Sequence, residues 1–241
     1  PPRSTLDRSS AASDVYKRQS HDIVVWGAGT GRAMRVHWML HEVGLEYHCQ
    51  PVGPRTGETQ TPGYLSMNPK GKIPVLEHRG FVLSESVAII RYISRNFELP
   101  DGFFAPLDSH EEAVLDEWCV FIAMELDAHP LYTMRRHGDL KQIYGAAPEV
   151  VESAQEYFLK QLNAVVPSRL EKQTYLMGEK FSEADILLTT CLDWAHAYGI
   201  PLSTSIMDYR ARALQRTAYR SADRICFPGR SDADTNQGDS Q

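Results

Sequence analysis

The chain of 241 residues is 42% hydrophobic and 23% charged, with 25 basic residues against 31 acidic ones and a formal charge of -6. At roughly 150 residues per domain this allows one or two domains, and the composition belongs to a globular protein rather than a disordered chain. No run approaches roughly 18 uninterrupted apolar residues, which excludes a transmembrane helix, and the mild acidity offers no clustered Lys and Arg for nucleic acid.

Residues 1–20 lack apolar periodicity, and their stretch 14–19 reads as a translated sequencing adapter, so they are expected to be a disordered or artefactual tail. Residues 21–26 contain the β-branched run Ile23-Val24-Val25 ended by Gly27, which suits a buried strand. Residues 32–43 carry Ala33, Val36, Leu40 and Val43 at helical spacing, with Gly44 as the residue after the cap. A strand at 45–52 and a Gly/Pro/Thr-rich loop through Pro62 follow, and strand, helix, strand predicts a parallel βαβ unit. Ile73 to Glu77 and Phe81 to Leu83 flank the turn His78-Arg79-Gly80 and predict an antiparallel hairpin, with Pro74 beginning an edge or sitting at an irregular position. The spacing of Val87, Ile90 and Ile93 predicts a helix over 84–95 with Ser84 as its N-cap.

Beyond the loop signals at 99–108 the chain reads helical. Leu115, Cys119, Ile122 and Leu126 form one stripe; Val151, Ala154, Phe158, Leu162 and Val165 form a second. Residues 184–197 are apolar on nearly every face, as a helix buried inside a bundle requires. Ser182 and Asp185 ahead of it have capping-box spacing. Residues 229–241 are polar and expected to be disordered. Cys49, Cys119, Cys191 and Cys226 lie far apart without a CxxC, and His129, His137 and His196 lack metal-ligand spacing. No metal site is assigned, and a reduced, cytoplasmic protein is expected.

The βαβ–ββα order, Lys72-Ile73-Pro74 before the third strand, Glu85-Ser86 opening the next helix and an all-helical second half resemble the cytosolic glutathione S-transferases, in their bacterial type, across residues 23–227. The resemblance implies an α/β plus all-α fold. A thioredoxin-like glutathione-binding domain over 21–97 precedes a linker at 98–108 and an all-helical C-terminal domain over 109–227, with 228–241 a disordered tail.

It also implies a binding site. Pro74 is expected to be cis, turning the Ile73 backbone toward glutathione so that it pairs with the cysteinyl part like an added strand. Lys72 matches a position that reaches the glycyl carboxylate; a solvated lysine is the plainer reading. Glu85 suits the γ-glutamyl ammonium, and Ser86 at a helix N-terminus suits its carboxylate. Counting five residues back from Arg35-Val36 reaches Thr30, the candidate catalytic hydroxyl that stabilises the thiolate. Thr30 equally suits a helix N-cap, and the two roles are compatible. Gly31 stands where similar sequences carry serine, which leaves open a site with backbone donors alone. Arg32 and Arg35 either lend positive potential to the thiolate or, the plainer reading, are exposed helix arginines. Trp118, Tyr132 and Met134 are candidates for the electrophile pocket, or are core. Expected are glutathione as co-substrate without another cofactor, a small hydrophobic electrophile, and a homodimer. A non-catalytic binding or regulatory protein, or a glutathione-dependent isomerase, dehalogenase or peroxidase, are the alternatives on the same fold.

Overall fold

The structure, a computed structural model, describes residues 22–230, so the reading of 1–20, and that of 228–241 beyond residue 230, fall outside it. The described chain divides into two compact units, residues 22–93 together with 221–230, and residues 94–220.

The first unit is built on a four-stranded sheet of order β2-β1-β3-β4. β1 (Ile23–Trp26) alternates buried and half-buried side chains and ends at Gly27. α1 (Gly31–Glu42) starts where the Thr30 side chain accepts from the Ala33 N–H, and residues 33–40 are all buried. At its other end Gly44 adopts φ 67, letting Leu45 N–H bond back to the Leu40 carbonyl. β2 (His48–Gln50) is shorter than expected and pairs parallel to β1. β3 (Val75–His78) runs antiparallel to both β1 and β4 (Phe81–Ser84), so Pro74 precedes an inner strand rather than an edge. Arg79 and Gly80 both have positive φ, as a type I′ hairpin turn requires.

Two local expectations change here. The loop before β3 holds a 3₁₀ turn (Glu58–Gln60) and a short helix, α2 (Pro62–Met67), capped by the Thr61 side chain on the Tyr64 N–H. Ser84 does not cap a helix: it ends β4, paired with Val75, and α3 (Ser86–Asn96) begins two residues later. The ladder to β3 holds Ser84 extended, so the helix opens after Glu85, whose carbonyl accepts the first helical N–H from Ile89.

In the second unit Asp108 caps α4 (Ser109–Phe121). That helix continues as π-helix over Ile122–Leu131, where Pro130 lacks the N–H an α-helical turn would use, and resumes as α5 (Tyr132–His137). The first predicted stripe is buried throughout. α6 (Lys141–Tyr144) and α7 (Pro148–Leu170) follow. On α7, Ala154, Phe158, Leu162 and Val166 are buried while Val165 is exposed, because the contact row runs every fourth residue. α8 (Glu183–Ala197) is buried along most of its length and opens with the expected capping box. α9 (Thr204–Leu214) follows, and α10 (Thr217–Cys226) closes the fold, its residues from Ser221 onward grouped with the first unit. No described helix is long and apolar enough to cross a membrane.

Candidate active site

The sheet register gathers three of the sequence-predicted segments at one end of the first unit. Trp26 pairs with Val75, and Val75 with Ser84. The loop leaving β1, the Ile73-Pro74 segment entering β3 and the Glu85-Ser86 step leaving β4 therefore lie side by side. Gly27 fixes how close two of them come. A Cβ on it would stand 2.6 Å from the Ile73 Cβ, and its φ of 119 suits only glycine.

Each predicted residue has a definite setting. The Ile73–Pro74 peptide is cis, with Pro74 buried and Ile73 half-buried. Thr30 Oγ1 accepts from Ala33 N–H at 3.1 Å, so the hydroxyl caps α1 and keeps its own proton for another acceptor. A Cβ at Gly31 would meet nothing within 4 Å, so no neighbour enforces the glycine. Glu85 holds φ 75 although it is not glycine, a strained setting of the kind that concentrates at functional sites. Its side chain is 71% exposed, with Oε1 2.6 Å from Lys70 Nζ. Ser86 is buried, and its hydroxyl accepts from Arg35 Nη1 at 3.4 Å. The Lys72 side chain is exposed, while its carbonyl accepts from both Tyr64 O–H and Asn68 Nδ2, each at 2.8 Å.

Several supporting residues stand where their sequence context does not announce them. Arg35 is only 3% exposed and points to Ser86; the expectation of an exposed helix arginine fails because α1 is buried over its middle turns. His37 is fully buried, with Nε2 2.9 Å from the Gly27 carbonyl and Nδ1 2.7 Å from Tyr47 Oη. Burial pulls this imidazole down to about 4, against the opposing hydrogen bond to Gly27. Burial likewise pushes the Tyr64 phenol up to about 12, which keeps its proton in place as a donor. The backbone of Gly29 lies beside Cys226, whose thiol is pushed up to about 12, again chiefly by burial. All four cysteines are free thiols, Cys49 half-buried and the others buried. No group of three or more potential metal ligands occurs among the described residues.

The N-terminal domain family of glutathione S-transferases matches residues 22–95, and the C-terminal domain family matches residues 122–216. A glutathione S-transferase-like protein of Aspergillus terreus, gedE, is 30% identical over 177 residues, 68% of this chain and 74% of its own length. A probable glutathione S-transferase of Oryza sativa subsp. japonica is 34% identical over 159 residues, 61% of this chain and 68% of its own. Among solved structures, a glutathione transferase of Populus trichocarpa superposes with a TM-score of 0.73 at 22% identity, over 85% of this chain and 99% of its own. A theta class glutathione S-transferase of Xanthomonas axonopodis pv. citri with glutathione bound gives 0.70 at 24%, over 86% and 98%. The chain belongs to the glutathione S-transferase family.

Proposed function

We propose that the protein binds glutathione at this sheet end and conjugates its thiolate to small hydrophobic electrophiles, a detoxifying reaction. The observation that carries the reading is the alignment of the Thr30 loop, cis Ile73-Pro74 and Glu85-Ser86 at one end of the sheet. The Ile73 backbone pairs with the cysteinyl unit, and Pro74 holds that segment in its turn. The exposed Glu85 carboxylate receives the γ-glutamyl ammonium. Ser86, already accepting from Arg35, donates its own proton to the γ-glutamyl carboxylate at the α3 N-terminus. Lys72 takes the glycyl carboxylate.

Thr30 supplies the chemistry. Its lone pair caps α1, and its O–H donates to the glutathione sulfur, stabilising the thiolate as the thiol proton leaves to solvent. With a chloroarene the thiolate attacks the ring carbon; the C–S bond forms, the C–Cl bond breaks and chloride departs. No cofactor beyond glutathione enters this scheme. The reading includes a cytoplasmic homodimer, as the family resemblance implies.

Steady-state conjugation of a generic chloroarene tests the proposal. Thr30→Ala is expected to lower kcat about 100-fold, and Thr30→Ser to retain activity. Unchanged activity in Thr30→Ala rules the hydroxyl mechanism out. A wild type that is retained on immobilised glutathione yet conjugates nothing points instead to a binding protein, or to one of the other glutathione-dependent reactions.

A further inference from the structure

We propose that Tyr64 and Asn68 are positioning residues for glutathione: together they grip the Lys72 carbonyl and thereby aim the Ile73 N–H at the ligand. The inference rests on the reading of Ile73 as the backbone partner of the cysteinyl unit. Lys72 C=O and Ile73 N–H belong to one planar peptide and point in opposite directions, so fixing the oxygen fixes the N–H. The oxygen is held by two donors at 2.8 Å, Tyr64 O–H and Asn68 Nδ2, which together use both of its lone pairs. The Ile73 N–H on the other side bonds to no protein group among the described residues. Pro74 has no N–H, so this is the one backbone donor that the Ile73-Pro74 step offers a ligand.

Both gripping side chains are themselves held. Tyr64, 6% exposed, packs in a cluster with Val52 and Val75, against which Trp26 and Ile73 also lie, and its ring meets Trp26 edge-on. Asn68 is 3% exposed, and its backbone N–H bonds to the Tyr64 carbonyl. Its Oδ1 accepts from the Lys70 N–H at 3.3 Å, which fixes which end of the amide faces Lys72. Lys70 in turn carries its ammonium to Glu85. One buried asparagine thus joins the Ile73 arm of the site to the Glu85 arm, and α2, with Asn68 as its C-cap, brings Tyr64 and Asn68 to the same carbonyl.

Tyr64→Phe removes one donor oxygen and leaves the packing. Asn68→Asp keeps the acceptor for Lys70 but sets a carboxylate against the Lys72 oxygen. The grip acts on ligand binding in ground and transition state alike, so it shows in KM for glutathione and not in kcat. Expected is a rise in KM and in calorimetric Kd for glutathione of about 5-fold for Tyr64→Phe and about 10-fold for Asn68→Asp. The double variant should exceed the product of the two, because both donors serve one acceptor. At saturating glutathione kcat stays within about 2-fold of wild type, and KM for the chloroarene does not move. Unchanged KM and Kd for glutathione in a folded Tyr64→Phe overturn the proposal, and so does a fall in kcat at constant KM. Should Asn68→Asp fail to fold, Tyr64→Phe decides alone. A wild type with no affinity for glutathione overturns the underlying site reading instead, and is told apart because it precedes any substitution.

Discussion

His37 shows how a single side chain ties the site's first loop to the core. The Gly27 carbonyl can only accept, so Nε2 carries the proton and Nδ1 accepts from the Tyr47 phenol. Its folded value of about 4 lies below the unfolded 6.5, so its contribution to stability is complete above pH 6.5. It is lost as pH falls toward 4, because the unfolded chain takes the proton first. Between pH 6.5 and 5 this amounts to about 2 kcal/mol. Urea denaturation of His37→Gln should show a pH 7-to-5 loss smaller than that of wild type by about this amount; an equal loss contradicts the assignment. None of this was legible from residue identity. A histidine, an arginine or an asparagine does not declare which way it faces, and α1 is buried on so many sides that its pattern gives no polar face for His37 or Arg35 to mark. Ile73, Pro74, Glu85 and Ser86 were legible as candidates because they sit together in short motifs. The positive φ at Glu85 was not, since only the junction of strand and helix demands it.

At the scale of elements, legibility follows how local the determining contacts are. The Ser182–Asp185 box is written in four consecutive positions, and both reciprocal bonds form, with Ser182 N–H donating to Asp185 at 2.9 Å. What the sequence does not announce is that Asp185 also accepts from Leu176 N–H and from the Tyr209 hydroxyl, partners brought in by the fold. Burial pushes this carboxyl up while the converging donors pull it back. Removing it strands several buried donors at once. Asp185→Ala should therefore cost about 3 kcal/mol or more in chemical denaturation, whereas a loss under about 1 kcal/mol would show the box to be dispensable. α2 illustrates the opposite case. Thr61 and Pro62 are fair start signals, a side-chain cap followed by proline in the first turn, but six residues give no periodicity to read. The segment reads as loop, and nothing in it marks Tyr64 or Asn68.

The whole molecule combines a small mixed sheet with a helical unit, and the strand order β2-β1-β3-β4 explains why three separated sequence segments converge. The β-branched run, the hairpin turn and the helical stripes sufficed to anticipate βαβ–ββα followed by helices, because each depends on patterning within a few residues. The grouping of residues 221–230 with the first unit depends on contacts distant in sequence, among them Cys226 beside Gly29, and no local pattern carries it. We propose that the convergence at the sheet end is the glutathione site. Calorimetric titration of the full chain with glutathione tests it most directly. Wild type should bind, and Glu85→Ala, which removes an exposed carboxylate without disturbing the core, should weaken binding about 10-fold or more. A wild type that does not bind glutathione, or a Glu85→Ala protein that binds it equally well, would contradict the account.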